Sequence, residues 1–203
     1  MTSSKQGETK LDRRAVVRAL LAERGELLVV AGLGAPAWDV TEAGDHALNF
    51  PLWGGMGGAA AIGLGLAIAQ PQRRVLVLTG DGEMLMGLGM LATIGARRPG
   101  NLAIVVLDNE HYGETGMQPS HTGFGVDLAA AALACGFAAA RTITAMDEIA
   151  GLRKAIHGAS CPLLAQVKIA PDKLPLALPP RDGTHLKNRF REALLGAKAH
   201  TQR

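Results

Sequence analysis

The sequence predicts a doubly wound α/β fold, in which a parallel sheet carries helices on both faces. Segments with the apolar spacing of helices alternate along the chain with short segments rich in Val, Ile and Leu. The short segments are continuous apolar runs, such as LAIVVL at 102–107, as expected for strands buried on both faces. Ligands of such sheets bind beyond the carboxyl ends of the strands, so functional residues are expected there.

Helix ends are marked by Gly or Pro, for example by Pro71, Pro99 and Gly136. Helices are predicted at 11–24, 36–43, 55–70, 83–97, 127–134, 146–157 and 184–195. Strands are predicted at 27–30, 47–50, 75–78, 102–107, 137–143 and 163–169. The Pro-rich stretch 171–181 is expected to be irregular. One domain at 11–195 is expected, with flexible tails at 1–10 and 196–203.

Composition excludes several classes of protein. Hydrophobic residues make up 48% of the 203 residues and charged residues 19%, which excludes a disordered chain. Cys135 and Cys161 form no CxxC motif, which argues against zinc and iron–sulfur sites and favours small core residues in a reducing compartment. The basic residues gather near the C-terminus without interleaved aromatics, so nucleic-acid binding is not expected. No signal peptide or membrane span is recognised, and a cytoplasmic location is expected.

The stretch TGDGE (79–83) follows the strand predicted at 75–78. Gly80 and Gly82 flank Asp81, which lets the backbone turn tightly and approach a ligand closely. A carboxylate binds hard cations such as Mg²⁺, and the start of the following helix favours an anion. The stretch is therefore typical of a metal–diphosphate site, although alone it also suits a turn in which Asp81 is an N-cap residue.

A second polar stretch, LDNEHYG (107–113), follows the strand predicted at 102–107. Asn109 comes 28 residues after Asp81 and offers an amide oxygen, another ligand for a hard cation. If the two strands are neighbours, both side chains leave the sheet at the same edge. A simple polar turn is the alternative. Upstream, PLWGGMGGAAAIGLGLA (51–67) predicts a helix of small residues that packs closely against a ligand, another subunit or a neighbouring helix.

Taken in order, GGMGGAAAIGLGLA (54–67), VLVLTGDG (75–82) and LDNEHYG (107–113) resemble the thiamine-diphosphate-binding domain of the decarboxylase and acetolactate synthase superfamily. The resemblance covers about residues 11–195. Within the superfamily, LATIG (91–95), VLDNEHYGETGMQP (106–119) and LKNRFREALL (186–195) are most similar to the small (beta) subunit of sulfopyruvate decarboxylase and the matching half of phosphonopyruvate decarboxylase.

The resemblance implies that the chain binds thiamine diphosphate through Mg²⁺. Asp81 and Asn109 would bind the ion with their side chains, and His111 with its carbonyl oxygen. The amides of Gly82 and Glu83 would bind the diphosphate. Relatives often have Ser where this chain has Glu83. The Glu83 carboxylate would repel a diphosphate unless it points away.

The same resemblance places Met56 under the cofactor, as the large apolar residue that forces its two rings into a folded V. The carbonyl of Gly54 and the amide of Met56 would bind the aminopyrimidine, and Gly80 and Tyr112 would lie beside the cofactor. Packing is the alternative for Met56 and Tyr112. His121 is expected nearby, either as a proton donor or as an ordinary surface or core histidine.

No catalytic residue is assigned on this chain. In this family, the glutamate that activates the cofactor lies on a separate pyrimidine-binding domain, for which these residues leave no room. The resemblance therefore implies a hetero-oligomer, in which a pyrimidine-domain partner subunit completes the active site.

The implied reaction is decarboxylation of a 2-oxo acid of the sulfopyruvate or phosphonopyruvate type. Its second anion would need Arg or Lys from either subunit. A subunit of a 2-oxo acid oxidoreductase, an acetolactate-synthase-like carboligase and a non-catalytic thiamine diphosphate binder remain alternatives. A nucleotide-binding module is a further one, because AGLGAPA (31–37) resembles G-x-G-x-x-A. No acidic residue stands about 20 positions further on to bind a ribose, which speaks against it.

Overall fold

Helices and strands alternate along residues 10–158 and 162–200, which the computed structural model describes. The helices are α1 (Arg13–Leu21), α2 (Ala35–Glu42), α3 (Ala59–Ala69), α4 (Asp81–Met86), α5 (Met90–Arg97), α6 (Leu128–Ala134), α7 (Glu148–His157) and α8 (Gly183–Leu195). The strands are β1 (Leu28–Ala31), β2 (Asn49–Pro51), β3 (Val75–Gly80), β4 (Leu102–Asp108), β5 (His111–Tyr112), β6 (Gln118–Pro119), β7 (Ala139–Ile143) and β8 (Leu163–Lys168).

The predicted parallel sheet is confirmed. Six strands pair in the order β2-β1-β3-β4-β8-β7, and every pair is parallel. The register sets Gly80 of β3 opposite Leu107 of β4, and Asp108 of β4 opposite Lys168 of β8. The polar residues that follow β3 and β4 therefore leave the sheet side by side, as the sequence predicts.

Helices cover both faces of the sheet and form two cores. Helices α1, α2 and α7 pack on one face, and α3 to α6 with α8 pack on the other. The chain leaves β1 into α2 on the first face and leaves the neighbouring β3 into α4 on the second. A crevice opens between strand ends where successive connections diverge in this way. The topology therefore predicts a ligand site at the ends of β1 and β3.

Two helices differ from their predicted bounds because of glycine contacts. The helix predicted at 83–97 is divided into α4 and α5, and Gly87 lies at the break, where a Cβ would come 2.3 Å from the carbonyl oxygen of Gly57. The helix predicted at 55–70 begins only at Ala59, because Gly55 and Gly57 have φ angles of +72° and +93°. Both differences arise where the 53–58 loop meets the end of α4.

Two features have no counterpart in the predictions. Strands β5 and β6 form a short antiparallel hairpin, and a 3-10 turn follows at His121–Phe124. The stretch 171–181 is irregular as predicted, and it reaches the 53–58 loop: the Trp53 indole donates to the carbonyl of Pro180 at 2.8 Å. Residues 196–200, predicted as tail, form a second 3-10 turn.

Cys135 is a half-buried free thiol that packs against the core, whereas Cys161 lies outside the described residues, as do 1–9 and 201–203. Within the described residues, no helix has the length and apolar character that crossing a membrane requires.

Candidate cofactor site

A cavity of about 500 Å³ lies beyond the carboxyl ends of β1, β3, β4 and β8. This size falls within the roughly 300–1,000 Å³ of small-molecule sites. Gly54 is not among the described residues that line it, but the other eight predicted cofactor residues are. Those eight are Met56, Gly80, Asp81, Gly82, Glu83, Asn109, His111 and Tyr112.

Asp81 begins α4 at the floor of the cavity, with an exposed fraction of only 2%. Its Oδ2 accepts a hydrogen bond from the hydroxyl of Ser120, and the hydroxyl of Thr122 lies 3.3 Å from it. Burial raises the pKa of Asp81, and the charge of Asp108 adds to the rise, although the two nearby hydroxyls oppose it. The two hydroxyls are neutral, so they leave the negative charge of Asp81 uncompensated.

Asp108, at the end of the neighbouring strand, has a different environment. It is fully buried and accepts from Thr122 at 2.7 Å, from Gln166 at 2.6 Å and from the ammonium of Lys168 at 2.7 Å. Burial alone would lower the pKa of Lys168, but hydrogen bonds to Asp108 and Glu110 outweigh it and raise that pKa. Of these two buried carboxylates, Asp81 is therefore the one suited to a cation.

Asn109 and His111 form a tight turn directly after β4. The Asn109 Oδ1 accepts from the backbone N–H of His111 at 2.9 Å, which leaves one more lone pair on that oxygen. In the hairpin, His111 faces Pro119, which has no N–H. The hairpin bonds run from Ser120 N to Glu110 O and from Met117 N to Tyr112 O, on either side of His111. The His111 carbonyl is therefore not used by this ladder.

Glu83 turns its carboxylate toward protein groups. Oε2 accepts from the Thr79 hydroxyl at 2.8 Å, and the Ala59 amide lies 3.4 Å from Oε1. The carboxylate also lies against Gly32, where a Cβ would come 1.9 Å from Oε2. Burial raises the pKa of Glu83, and hydrogen bonds to these groups oppose the rise. The carboxylate thus links β3 to the start of α3. Because it points toward these protein groups, it leaves the backbone N–H groups at the start of α4 free to donate to a diphosphate.

Gly82, Tyr112 and Met56 meet in the cavity. A Cβ on Gly82 would come 2.6 Å from two carbons of the Tyr112 ring and 3.6 Å from the Met56 methyl. The Tyr112 hydroxyl lies 3.5 Å from Nδ1 of His121, which is exposed and is not among the described residues that line the cavity. A side chain at position 82 would therefore collide with Tyr112, which favours glycine there. His121 contacts a residue of the cavity through the Tyr112 hydroxyl.

The cavity is also lined by charged groups that sequence reasoning did not single out. Arg13, 7% exposed, lines the cavity, and its Nε lies 3.0 Å from Oδ2 of the fully buried Asp39. Burial raises the pKa of Asp39, and the positive charges of Arg13 and Arg14 oppose this rise. Glu114 and Lys173 also line the cavity, and burial raises the pKa of Glu114 against the opposing charge of Arg13.

Sequence reasoning also missed Ser120, Thr122, Asp108 and Lys168. The S-x-T spacing at 120–122, and a lysine that ends an otherwise buried strand, are signals that could have indicated them. Among the described residues, no group of three or more His, Cys, Asp and Glu side chains is arranged to hold a metal ion. A cation here would therefore depend on a mixed set of oxygen ligands.

A family model described as the thiamine pyrophosphate enzyme, C-terminal TPP binding domain, matches residues 32–166. The chain is 36% identical over 187 residues to sulfopyruvate decarboxylase subunit beta from Methanothermobacter thermautotrophicus, covering 92% of this chain and 97% of that protein. It is 38% identical over 181 residues to phosphonopyruvate decarboxylase from Streptomyces viridochromogenes, covering 88% of this chain but only 45% of that protein.

Among solved structures, the fold is similar to that of benzoylformate decarboxylase from Polynucleobacter necessarius. The TM-score is 0.66 at 21% sequence identity, and the match covers 87% of this chain and 36% of that one. At this identity, the likeness supports the fold alone.

Proposed function

The chain belongs to the thiamine pyrophosphate enzymes as a C-terminal-type TPP-binding domain, and we propose that it is the cofactor-binding subunit of a 2-oxo acid decarboxylase of the sulfopyruvate or phosphonopyruvate type. We infer that residues 11–195 form this domain. The observation that carries the proposal is the meeting of Asp81, Gly82 and Asn109 in one cavity at the topological switch point.

The residues present fit a thiamine diphosphate–Mg²⁺ pair. Mg²⁺ prefers oxygen ligands, and the cavity offers the Asp81 carboxylate, the Asn109 amide oxygen and the His111 carbonyl. Gly82 and Glu83 lie in the first turn of α4, where backbone N–H groups lack helical partners and suit an anion. Met56 and Tyr112 supply the apolar surface that an organic ring needs.

Thiamine diphosphate, when bound, would supply the nucleophilic carbon and the electron sink that loss of CO₂ requires. The residues of this chain would hold and orient the cofactor and its cation. Asp81, Asn109 and His111 fix the cation, the first turn of α4 receives the diphosphate, and Met56 sets the position of the rings. Asp81 and Asn109 directly follow β3 and β4, so the sheet fixes their positions, as the positioning of reactants demands.

An apolar surface beside the cavity favours the presence of a partner subunit. Met86 is 62% exposed and lines the cavity, and Phe124 is 78% exposed on a turn that contacts α4. Helix α3 is apolar on all sides, yet Ile62 in its first turns is exposed. Exposed apolar surface of this kind marks protein contacts. The relative from Methanothermobacter is named subunit beta. We assign the surface to a pyrimidine-domain subunit that brings the activating glutamate.

Arg13 and Lys173 bear on the choice of substrate. Both line the cavity, and a substrate with a second anion, as in sulfopyruvate or phosphonopyruvate, needs cationic partners. Arg13 is held by Asp39, so its position is fixed before substrate arrives. Because Arg13 is already paired with Asp39, Lys173 is the side chain that supports a substrate with two negative charges over one with a single carboxylate.

The test is an assay of CO₂ release and aldehyde formation from sulfopyruvate, phosphonopyruvate and pyruvate, with thiamine diphosphate and Mg²⁺. The chain is assayed alone and co-expressed with a pyrimidine-domain subunit, and Asp81→Asn is the matched control. We expect turnover only in the complex, and faster with the doubly charged substrates. Full activity of the chain alone would contradict the assignment of a partner, and consumption of every substrate by carboligation or oxidation would contradict decarboxylation.

A further inference from the structure

Two hydroxyl side chains, those of Ser120 and Thr122, lie against Asp81 and have no role in the function proposed above. Both are buried, Ser120 completely, and both belong to the turn after β6. We propose that they are positioning residues for Asp81, which hold one oxygen of its carboxylate so that the other is left to the cation. This inference rests on the proposed function, because it concerns the Mg²⁺ that the proposal assigns to Asp81.

The number of protons decides which hydroxyl donates to which carboxylate, since each hydroxyl has only one to donate. Ser120 Oγ is hydrogen-bonded to Asp81 Oδ2 and lies 2.9 Å from Thr122 Oγ1. Thr122 Oγ1 lies 2.7 Å from Asp108 Oδ1 and 3.3 Å from Asp81 Oδ2. The shorter contact of each hydroxyl is the one to a carboxylate. Ser120 therefore donates to Asp81, and Thr122 donates to Asp108.

Asp108 anchors this pair of hydroxyls to the sheet. It accepts from Gln166 at 2.6 Å and from Lys168 at 2.7 Å, both on β8. Asp108 also directly precedes Asn109, the other proposed side-chain ligand. The turn that carries the two hydroxyls thus connects Asp81, which directly follows β3, to Asp108 at the end of β4, which Asn109 follows. Relative movement of the two ligands is limited by this bridge.

Neutral hydroxyl partners suit a metal ligand better than a cationic partner would. A lysine or arginine on Asp81 would compensate its charge and compete with Mg²⁺, as Lys168 compensates Asp108. A hydroxyl fixes the orientation of the carboxylate and leaves its charge in place. Groups that orient a metal ligand in this way affect affinity strongly, since their removal typically weakens metal binding by about 10–100-fold.

The experiment measures the Kd of Mg²⁺ at saturating thiamine diphosphate, by calorimetry, on the full chain with its co-expressed partner subunit. The variants are Ser120→Ala, Thr122→Val and Thr122→Ser, and Thr41→Val is the matched control. Thr41 is half-buried and donates to the Ala37 carbonyl at 2.8 Å, away from Asp81. The unfolding midpoint of each metal-free protein is measured alongside, because a merely structural role would change only that quantity.

We expect Ser120→Ala to weaken Mg²⁺ binding by about 10–100-fold, and Thr122→Val to weaken it less, because Thr122 donates to Asp108 and not to Asp81 itself. Thr122→Ser, which keeps the hydroxyl, and Thr41→Val should bind Mg²⁺ as the wild type does. An unchanged Kd in both Ser120→Ala and Thr122→Val, with a wild type that binds Mg²⁺, would overturn this inference alone. A wild type that binds no Mg²⁺ would instead overturn the proposed function and, with it, the inference.

Discussion

At the scale of single residues, the two buried carboxylates at the ends of neighbouring strands β3 and β4 have different partners. Asp108 is compensated by Lys168 at 2.7 Å and serves the structure. Among the described residues, the only side chains within hydrogen-bonding distance of Asp81 are hydroxyls, so its charge is costly in the absence of a cation. A charged group kept in such surroundings is typical of a functional site.

Exchanging each carboxylate for its amide should separate the two roles. Asp81→Asn removes a buried charge and keeps an acceptor for Ser120, so the metal-free protein should be at least as stable as the wild type. Asp108→Asn leaves Lys168 without its closest partner and should lower the free energy of unfolding by about 2 kcal/mol. This value is below the 3–5 kcal/mol of a fully buried pair because Lys168 keeps Glu110. Urea denaturation measures both, and a less stable Asp81→Asn protein would contradict this account.

At the scale of elements, the glycines of α3 divide into two kinds. A Cβ on Gly63 would come 2.2 Å from a methyl of Val77 in the sheet, whereas a Cβ on Gly65, two residues later, meets nothing within 4 Å. Gly63 lets the helix approach the sheet closely. Gly65 lies on the outer face of the same helix.

Substituting these two glycines with alanine should therefore have effects of opposite sign. Gly63→Ala should lower the free energy of unfolding by about 1–3 kcal/mol through overpacking. Gly65→Ala should raise it by about 0.4–1 kcal/mol, because alanine restricts the unfolded chain. Urea unfolding of the two variants measures the difference, and equal losses in both would show that α3 does not pack as described.

Helices α1 and α2 are joined by a buried cluster, in which Arg13 and Arg14 both pair with Asp39, and by an exposed ion pair. Asp39→Asn leaves Arg13, which is 7% exposed, and Arg14 without this carboxylate and should lower the free energy of unfolding by about 3 kcal/mol. Glu42→Gln breaks the exposed contact with Arg18, which is 2.8 Å long, and should cost less than about 1 kcal/mol. Thermal unfolding compares the stability of the Asp39→Asn and Glu42→Gln proteins. Similar losses of stability in both would argue that the Arg13–Asp39 pair is solvated.

Sequence patterns predict the elements where the pattern is local. Continuous apolar runs indicate the inner strands β1, β3 and β4, and the strand ends direct attention to Asp81 and Asn109. The division between α4 and α5 depends on the contact of Gly87 with Gly57, which lies far away in sequence. Ser120 likewise meets Asp81 only because the β5–β6 hairpin folds back, and strands of two residues leave no periodic signal.

At the scale of the whole molecule, the cavity and the exposed apolar surface lie together. Phe124 is 78% exposed on the turn that also carries Thr122, and Leu133 is 50% exposed on α6, which packs against α5, β7 and β8. We expect the partner subunit to cover Phe124 and to leave Leu133 exposed.

Phe124→Ser should weaken association with the partner by about 2 kcal/mol or more, roughly 30-fold in Kd, as loss of a central aromatic does. Leu133→Ser, a comparable loss of exposed apolar surface, should leave the Kd unchanged. Analytical ultracentrifugation of the co-expressed chains measures both. If Leu133→Ser dissociates the complex and Phe124→Ser does not, the partner lies on another face.

The central claim is that Asp81 holds Mg²⁺ against a diphosphate. A thermal-shift titration with thiamine diphosphate, with and without Mg²⁺, tests it on wild type and Asp81→Asn, each with the co-expressed partner. A ligand that binds only the folded state raises the melting temperature, by an amount set by its concentration relative to Kd. We predict a rise that requires Mg²⁺ and is lost in Asp81→Asn. A rise that is independent of Mg²⁺, or equal in both proteins, would contradict the claim.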